Sequence, residues 1–177
     1  MQEIAARQFA TIRCTINGMA TEIAVDVRAS LADMLRNDYG LTSVKKGCEV
    51  GECGACNVII DGECFNSCIY MAIWADGKNI RTAEGLAEPT GELSEIQRLF
   101  VEEGAVQCGF CTPGFLMTAT AILESGSDYT RDELKKQLSG HLCRCTGYEN
   151  ILNAVEKAVK IASVPASTKS RNDRDNI

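Results

Sequence analysis

The residues of this 177-residue chain that could do chemistry are its cysteines, and eight of the ten fall into two compact sets. The first set is Cys48, Cys53, Cys56 and Cys68, and the second set is Cys108, Cys111, Cys143 and Cys145. Four thiolates hold one two-iron, two-sulfide cluster, and the first set has the C-x4-C-x2-C spacing with a more distant fourth cysteine that is typical of such clusters. The sequence therefore predicts two 2Fe-2S clusters and a role in electron transfer.

The chain around the first set is built to wrap closely around a cluster. The run GCEVGECGAC is rich in glycine, which lets the backbone take unusual dihedral angles and bring N–H donors to inorganic sulfides. Asn57 to Ile60 is predicted to be a strand, Asp61-Gly62 a tight turn, and Glu63 to Ser67 a returning strand. This hairpin would carry the fourth cysteine back to the other three.

The second set is divided into two pairs, and each pair precedes a helix. Thr112-Pro113 after Cys111 is typical of a helix start, and the helix is predicted to continue to Glu124. Thr130 and Glu133 form a capping box that opens a further helix before Cys143. The spacing of apolar residues predicts a last helix over 149–162. With a helix at 93–103, two helical hairpins would bring both pairs to the helix N-termini, whose partial positive charge stabilises thiolates.

The spacing alone leaves other uses of these cysteines open. A disulfide framework suits an even cysteine count, but a chain of this length with 45% hydrophobic residues can build an apolar core without one. Zinc binds C-x2-C pairs and stays an alternative, above all for the second set. Cys64 either fills a strand position or replaces Cys68 as a ligand. His141, the only histidine, is predicted to stand at a helix end, with a metal or proton-transfer role as the alternative.

Composition narrows the function classes. The formal net charge of −6 disfavours binding to nucleic acid or to an anionic membrane. No transmembrane run is present, and the first fourteen residues lack the apolar stretch of a secretory signal. Thiols that must stay reduced until clusters form favour the cytoplasm.

The sequence predicts four segments. Residues 8–82 form a domain that holds the first cysteine set. In it, Asn17-Gly18 is predicted to be the turn of a first hairpin, and Ser30 is predicted to cap a short helix. Residues 83–92 form a linker, residues 93–162 a helical domain that holds the second set, and residues 163–177 a flexible tail. Tyr70 and Trp74 are predicted to lie on a helix that packs against the helical domain.

Three segments resemble the iron-sulfur subunit of the xanthine dehydrogenase and aldehyde oxidase family of molybdenum hydroxylases. They are GCEVGECGAC together with NSC at Cys68, GAVQCGFCTPG around Cys108 and Cys111, and HLCRCTGY around Cys143 and Cys145. The resemblance extends over nearly everything from Thr11 to Ile161. It implies an α+β fold, in which a ferredoxin-like β-grasp domain is followed by an all-α four-helix bundle domain, each with one 2Fe-2S cluster.

The resemblance also implies roles and partners. The cysteines of the first set would ligate the cluster near FAD, and those of the second set the cluster near the molybdenum-pterin cofactor. Gln107 and Cys145 would contact that cofactor, although the residues alone indicate only a turn position for Gln107. A large molybdenum-cofactor subunit and an FAD-binding subunit would be the partners, in a dimer of heterotrimers. This chain would contribute no catalytic acid, base or nucleophile.

Overall similarity to this family favours purine or xanthine oxidation as the reaction of the whole enzyme. Aldehyde, nicotinate, isoquinoline and carbon monoxide oxidation are the alternatives, because the substrate pocket would belong to another chain. A free-standing electron carrier with two clusters is the alternative from a different functional class.

Overall fold

A computed structural model describes residues 8–163 of the chain. The first half holds the strands and one α-helix: β1 (Phe9–Ile16), β2 (Met19–Asp26), α1 (Leu31–Asn37), β3 (Asn57–Ile60), β4 (Glu63–Asn66) and β5 (Asn79–Arg81). The second half holds α2 (Glu95–Glu102), α3 (Thr112–Glu124), α4 (Arg131–Gln137) and α5 (Glu149–Ala162). The fold is α+β and ferredoxin-like. The flexible tail is predicted to begin at residue 163, and its residues 164–177 lie outside the described part of the chain.

The strands form one mixed sheet in the order β2-β1-β5-β3-β4. β1 and β5 are parallel, and the other neighbouring pairs are antiparallel. Both predicted hairpins are present, and both turn residues of each, Asn17-Gly18 and Asp61-Gly62, have positive φ, as a type I′ turn requires. The second hairpin returns the chain toward Cys68, which follows β4 by two residues.

α1 covers the sheet and completes the core of the first half. Its buried residues pack with the inward residues of β1, β3 and β5. The helix begins where predicted, because the Ser30 hydroxyl accepts a hydrogen bond of 3.1 Å from the Asp33 amide. The loop from this helix to β3 carries three of the four cysteines of the first set, Cys48, Cys53 and Cys56.

The four helices of the second half share one apolar core, to which each contributes its buried face. α5 has the predicted bounds. α2 begins two residues later than predicted, because Ser94 and Gln97 form a capping box that fixes its start. α4 begins after the predicted capping box of Thr130 and Glu133 and ends at Gln137.

α3 joins the two halves. It is buried on nearly every side, and one of its residues, Met117, is fully buried against Ile59 of β3 and Ala83 of the short 3-10 helix Ala83–Leu86. A further contact is the ion pair between Arg81 of β5 and Glu124 at the end of α3. The two cysteine sets are therefore carried by halves that pack directly against each other.

The prediction for Tyr70 and Trp74 is wrong. The chain forms only a short 3-10 helix at Ala72–Ala75, and the Trp74 side chain is 57% exposed. Tyr70 packs against the sheet core of the first half, and its ring meets Trp74 edge-on at 5.6 Å. Within residues 8–163, no helix is both long and apolar enough to cross a membrane.

The capping box of α4 gives a first testable prediction. The Thr130 hydroxyl accepts from the Glu133 amide at 3.3 Å, and the Glu133 carboxylate accepts from the Thr130 amide at 2.8 Å. Thr130→Ala removes the first bond and should destabilise the helix by about 1 kcal/mol, or roughly 2–4 °C in Tm. Thr130→Ser keeps the hydroxyl and should stay close to the parent in a thermal scan. Equal losses in both variants would contradict a capping role.

Candidate metal centres

The loop before β3 turns backbone N–H groups toward the first cysteine. The Cys48 sulfur accepts from the amides of Val50 at 3.5 Å, Glu52 at 3.3 Å and Cys53 at 3.4 Å. The Val50 amide and the other donors lower the pKa of Cys48 to about 6, against the opposing effect of burial. The thiolate, which is the form that binds metal, therefore dominates at neutral pH.

The first set converges in space as two pairs of thiols. The thiols of Cys48 and Cys53 are neighbours, as are those of Cys56 and Cys68. Burial, followed by the neighbouring thiol of Cys56, raises the pKa of Cys68 to about 11, and the charge of Cys48 acts in the same direction. The four sulfurs thus repel one another as anions, and a cationic metal centre would relieve that repulsion.

The second set converges in the same pairwise way, although 32 positions separate Cys111 from Cys143 in the sequence numbering. The thiols of Cys111 and Cys143 are neighbours, as are those of Cys108 and Cys145. Burial, followed by the neighbouring thiol of Cys143, raises the pKa of Cys111 to about 12. Burial by itself would raise the pKa of Cys143. The hydroxyl and the amide of Thr146, at 3.1 and 3.5 Å from the sulfur, outweigh it and lower the pKa overall.

The pairing suits a centre with two metal ions, each of which takes two of the four thiolates. Within the described residues, no three His, Cys, Asp or Glu side chains are grouped so that they could hold one metal ion. Each of the predicted sets is brought together by the fold, and no cysteine of either set is left apart from its partners.

Small residues keep the first set open for a closely wrapped group. A Cβ added at Gly47 would lie 2.9 Å from the Cys53 sulfur. Gly51 has a φ of +82°, and a Cβ there would lie 2.9 Å from Ile69. A side chain at Gly47 would therefore crowd the Cys53 sulfur, and one at Gly51 would displace Ile69, the residue that follows Cys68. The small residues present thus fit a closely wrapped 2Fe-2S cluster.

The two sets differ in their exposure. Cys53 and Cys56 of the first set are buried, whereas Cys108 and Cys145 of the second set are exposed. Gln107, next to Cys108, is exposed as well. The pair of Cys111 and Cys143 lies deeper, so the second set has one inner pair and one outer pair.

Cys64 does not join the first set. It lies on β4, and its sulfur is 3.4 Å from the hydroxyl of Thr118 on α3. The alternative in which Cys64 replaces Cys68 needs strand alternation to continue to Cys68, but β4 ends at Asn66, so the two cysteines face different surroundings. Burial raises the pKa of the Cys64 thiol, as is usual for a cysteine that packs as a small apolar residue.

His141 is not a helix-end residue. α4 ends at Gln137, and the imidazole is 3% exposed and stacked on Phe115 with a centroid separation of 4.3 Å. Burial lowers the pKa of His141 to about 4, so the ring is neutral at physiological pH and gains nothing from a helix dipole. Its Nε2 lies 2.7 Å from the Thr118 hydroxyl.

A polar network at the contact between the two halves was missed by sequence reasoning. Thr118 is its centre, and the hydroxyl accepts from Asn57 at 3.2 Å in addition to its bond with His141. Beside it, the Leu142 amide donates to the Cys53 carbonyl at 3.1 Å. The only sequence signal was a lone histidine two positions before a cysteine, and nothing in the helical pattern marks Thr118.

Comparison with known proteins agrees with this geometry. The family described as 2Fe-2S iron-sulfur cluster binding domain matches residues 14–87, and the family described as 2Fe-2S binding domain matches residues 82–156. The xanthine dehydrogenase iron-sulfur-binding subunit of Escherichia coli O157:H7 is 51% identical over 147 residues, which cover 82% of this chain and 91% of that protein. The chain belongs to the iron-sulfur subunits of the molybdenum hydroxylases.

Two further relatives show the breadth of this family. The nicotine 6-hydroxylase small subunit of Paenarthrobacter nicotinovorans is 51% identical over 140 residues, which cover 79% of this chain and 84% of that protein. A chain of quinoline 2-oxidoreductase from Pseudomonas putida 86 superimposes with a TM-score of 0.84 at 44% identity, covering 88% of this chain and 96% of that chain. The molybdenum hydroxylase subunit described here therefore contains two 2Fe-2S binding domains and works as an electron-transfer subunit of an oxidoreductase with partner subunits.

Proposed function

We propose that this subunit conducts electrons from a molybdenum-pterin site on a large partner subunit to FAD on a second partner subunit. The ligands are the four cysteines of the first set for one 2Fe-2S cluster and the four cysteines of the second set for the other. Each bound cluster supplies the ability to accept and release one electron. The protein itself holds the thiolates, sets the hydrogen bonds to sulfur and fixes the separation between the two sets.

One observation carries this proposal, namely that the second set has one exposed pair of cysteines and one pair that lies toward the first set. Its outer pair, Cys108 and Cys145, is exposed beside Gln107, as expected for a face that meets the molybdenum-pterin cofactor of a partner. A side-chain amide such as that of Gln107 can both donate and accept hydrogen bonds at a pterin edge. The inner pair includes Cys143, whose neighbour Leu142 is hydrogen-bonded to Cys53 of the first set. Electrons that enter at the outer pair are thus directed toward the first set.

The first set supports an exit toward a flavin subunit. Cys48 lies beside an exposed stretch that includes Glu49, Val50 and Glu52. Val50 is 65% exposed, and an exposed apolar side chain next to a redox centre suits a protein contact. A free-standing carrier would need no second face of this kind at the other set, so the presence of two faces favours a subunit that lies between two partners.

We propose the domain division 8–82, 83–92 and 93–162, with a ferredoxin-like β-grasp domain, a linker and a four-helix bundle. The two separate apolar cores support it, as do the two family matches, which meet at residues 82–87. We further propose a dimer of heterotrimers in the cytoplasm, where the eight ligand thiols stay reduced until the clusters are assembled.

For the substrate, we propose a nitrogen-containing aromatic heterocycle, with a purine as the first compound to test. The support is that the relatives reported above are named for xanthine, nicotine and quinoline, which all belong to this class. The xanthine and nicotine relatives are equally similar to this chain, so purine oxidation is the first arm of a screen that also includes pyridine and quinoline compounds.

The test is anaerobic reduction of the complex purified with its partners. We expect about four irons per copy of this chain, and we expect hypoxanthine or xanthine to bleach the visible iron-sulfur absorption within one turnover. Bleaching by a pyridine or quinoline compound alone would replace the purine by that compound as the substrate, still within the nitrogen-containing aromatic heterocycles. A complex with no molybdenum-containing chain, or with about two irons per copy, would contradict the relay.

A further inference from the structure

We propose that Thr118 and His141 are positioning residues for electron transfer between the two cysteine sets. They act by holding the hydrogen bond from the Leu142 amide to the Cys53 carbonyl, through which one electron passes from the second set to the first. The inference rests on the proposed function and adds to it the residues that control this step. In this step no covalent bond forms or breaks: a cluster held by the second set would be oxidised by one electron, and a cluster held by the first set would be reduced by the same electron.

The Cys53–Leu142 contact is the short connection between the two ligand sets. Cys53 belongs to the first set, and Leu142 directly precedes Cys143 of the second set. The path from one sulfur to the other therefore runs through roughly ten covalent bonds and one hydrogen bond of 3.1 Å. Because tunnelling weakens steeply with each gap in a path, lengthening this single hydrogen bond would slow the step more than stretching any covalent part.

The imidazole of His141 presses directly on the loop that carries Cys53. A Cβ added at Gly54 would lie 2.3 Å from His141 Nδ1, so the ring occupies the space where any other residue at position 54 would place its side chain. On its other side the ring stacks on Phe115. His141 is thus held between α3 and the Cys53 loop, and a displacement of the ring moves the peptide that donates to Cys53.

Thr118 fixes the ring in this position. Within the described chain, Nδ1 of His141 has no hydrogen-bond partner, so the ring is oriented through Nε2. The bond from Nε2 to Thr118 is 2.7 Å long, whereas the side-chain amide of Asn57 is 3.5 Å away. The same hydroxyl is bonded to Asn57 of β3, so Thr118 ties α3, β3 and the His141 loop together.

The charged groups near this contact lie outside it. The ion pair of Arg81 and Glu124 also joins the two halves, but both side chains are partly exposed and lie at the far end of α3.

Phe110 gives a second approach between the sets, because its ring edge is 3.4 Å from a Cβ added at Gly47. It is an apolar contact without a hydrogen bond, and Phe110→Leu is therefore a useful comparison variant.

The experiment compares Thr118→Val with Thr118→Ser in the complex with its partners. Valine keeps the shape but leaves Nε2 of His141 and the amide of Asn57 without the hydroxyl, whereas serine retains it. We expect hydrogen exchange of the Leu142 amide to be about tenfold faster or more in Thr118→Val. We also expect a smaller magnetic interaction between the two reduced clusters by EPR and slower electron transfer between them, with iron content unchanged.

The outcomes are distinct. Thr118→Ser and Phe110→Leu should resemble the parent in exchange of the Leu142 amide. Normal iron content with unchanged exchange and unchanged magnetic interaction in Thr118→Val would overturn the positioning role and leave the proposed function standing. If Thr118→Val loses iron, His141→Leu removes the same bond from the other side, and loss of iron there as well would assign the pair to folding alone. Failure of the parent to show two clusters would overturn the proposed function itself.

Discussion

Gly114→Ala is expected to lower the Tm of the cluster-loaded subunit by roughly 5–10 °C. Gly114 lies in the first turn of α3, and an added Cβ would stand 2.1 Å from the carbonyl oxygen of Gly54 and 3.1 Å from the Cα of Ala55. Both obstacles are backbone atoms of the loop that carries Cys53 and Cys56. Because neither can rotate away, the loop and the helix must separate by roughly 1 Å.

The separation should also be visible at the cysteines. The loop that would be pushed away holds the Cys53 carbonyl, which accepts from the Leu142 amide. We therefore expect weaker magnetic interaction between the two reduced clusters by EPR, together with faster loss of iron from the first set on dilution into chelator. Alanine is the better helix former, so α3 itself gains from the change, and the loss must come from the contact between the halves.

Gly140→Ala is the matched control for this variant. Gly140 lies two residues before Leu142, no heavy atom is within 4 Å of a Cβ added there, and its φ is not in the left-handed region. The two substitutions change the entropy of the unfolded chain alike, so their difference reports the steric contact. A Tm of Gly114→Ala within about 2 °C of that of Gly140→Ala would show that the two halves are not pressed together at Gly54.

Features set by neighbouring residues could be predicted from the sequence. Both hairpins depend on Asx-Gly turns, and the start of α4 depends on a capping box, so a few adjacent residues decide each of them. The bounds of α5 follow from a regular apolar stripe. The second cysteine set could be assembled because helices start after each of its pairs. In all these cases, the signal lies within about ten residues along the chain.

The contact between the halves could not be predicted, because it depends on residues far apart in the sequence. Thr118 reads as one more residue of a buried helix, and only the packing of α3 on β3 brings its hydroxyl to Asn57 and His141. The same packing buries His141 and removes the charge on which the helix-end prediction rested. Trp74 is predicted to lie on a helix that packs against the helical domain, but it lies on a short 3-10 helix that leaves its side chain exposed.

Cys56→Ser is expected to remove the first cluster and to leave the second. Cys56 is buried and its thiol neighbours that of Cys68, so it is one of the four cysteines that meet at the site. A serine hydroxyl of nearly the same size stays protonated at neutral pH and is a poor ligand for iron. Iron should fall from about four to about two per chain, and one of the two EPR signals of the reduced protein should disappear.

Cys64→Ser supplies the matched control, since it makes the same chemical change eight positions later in the same half. The Cys64 sulfur contacts the Thr118 hydroxyl, to which a serine can also hydrogen-bond, and it takes no part in either set of paired thiols. Iron content and both EPR signals should therefore equal those of the parent. Loss of iron in Cys64→Ser with retention in Cys56→Ser would overturn the ligand assignment of the first set, because Cys64 on β4 and not Cys56 would then be a ligand. Cys56 and Cys64 pack in separate apolar clusters. Equal iron loss in both variants would therefore show that iron is lost because serine disturbs the packing of this half, and not because a ligand is removed.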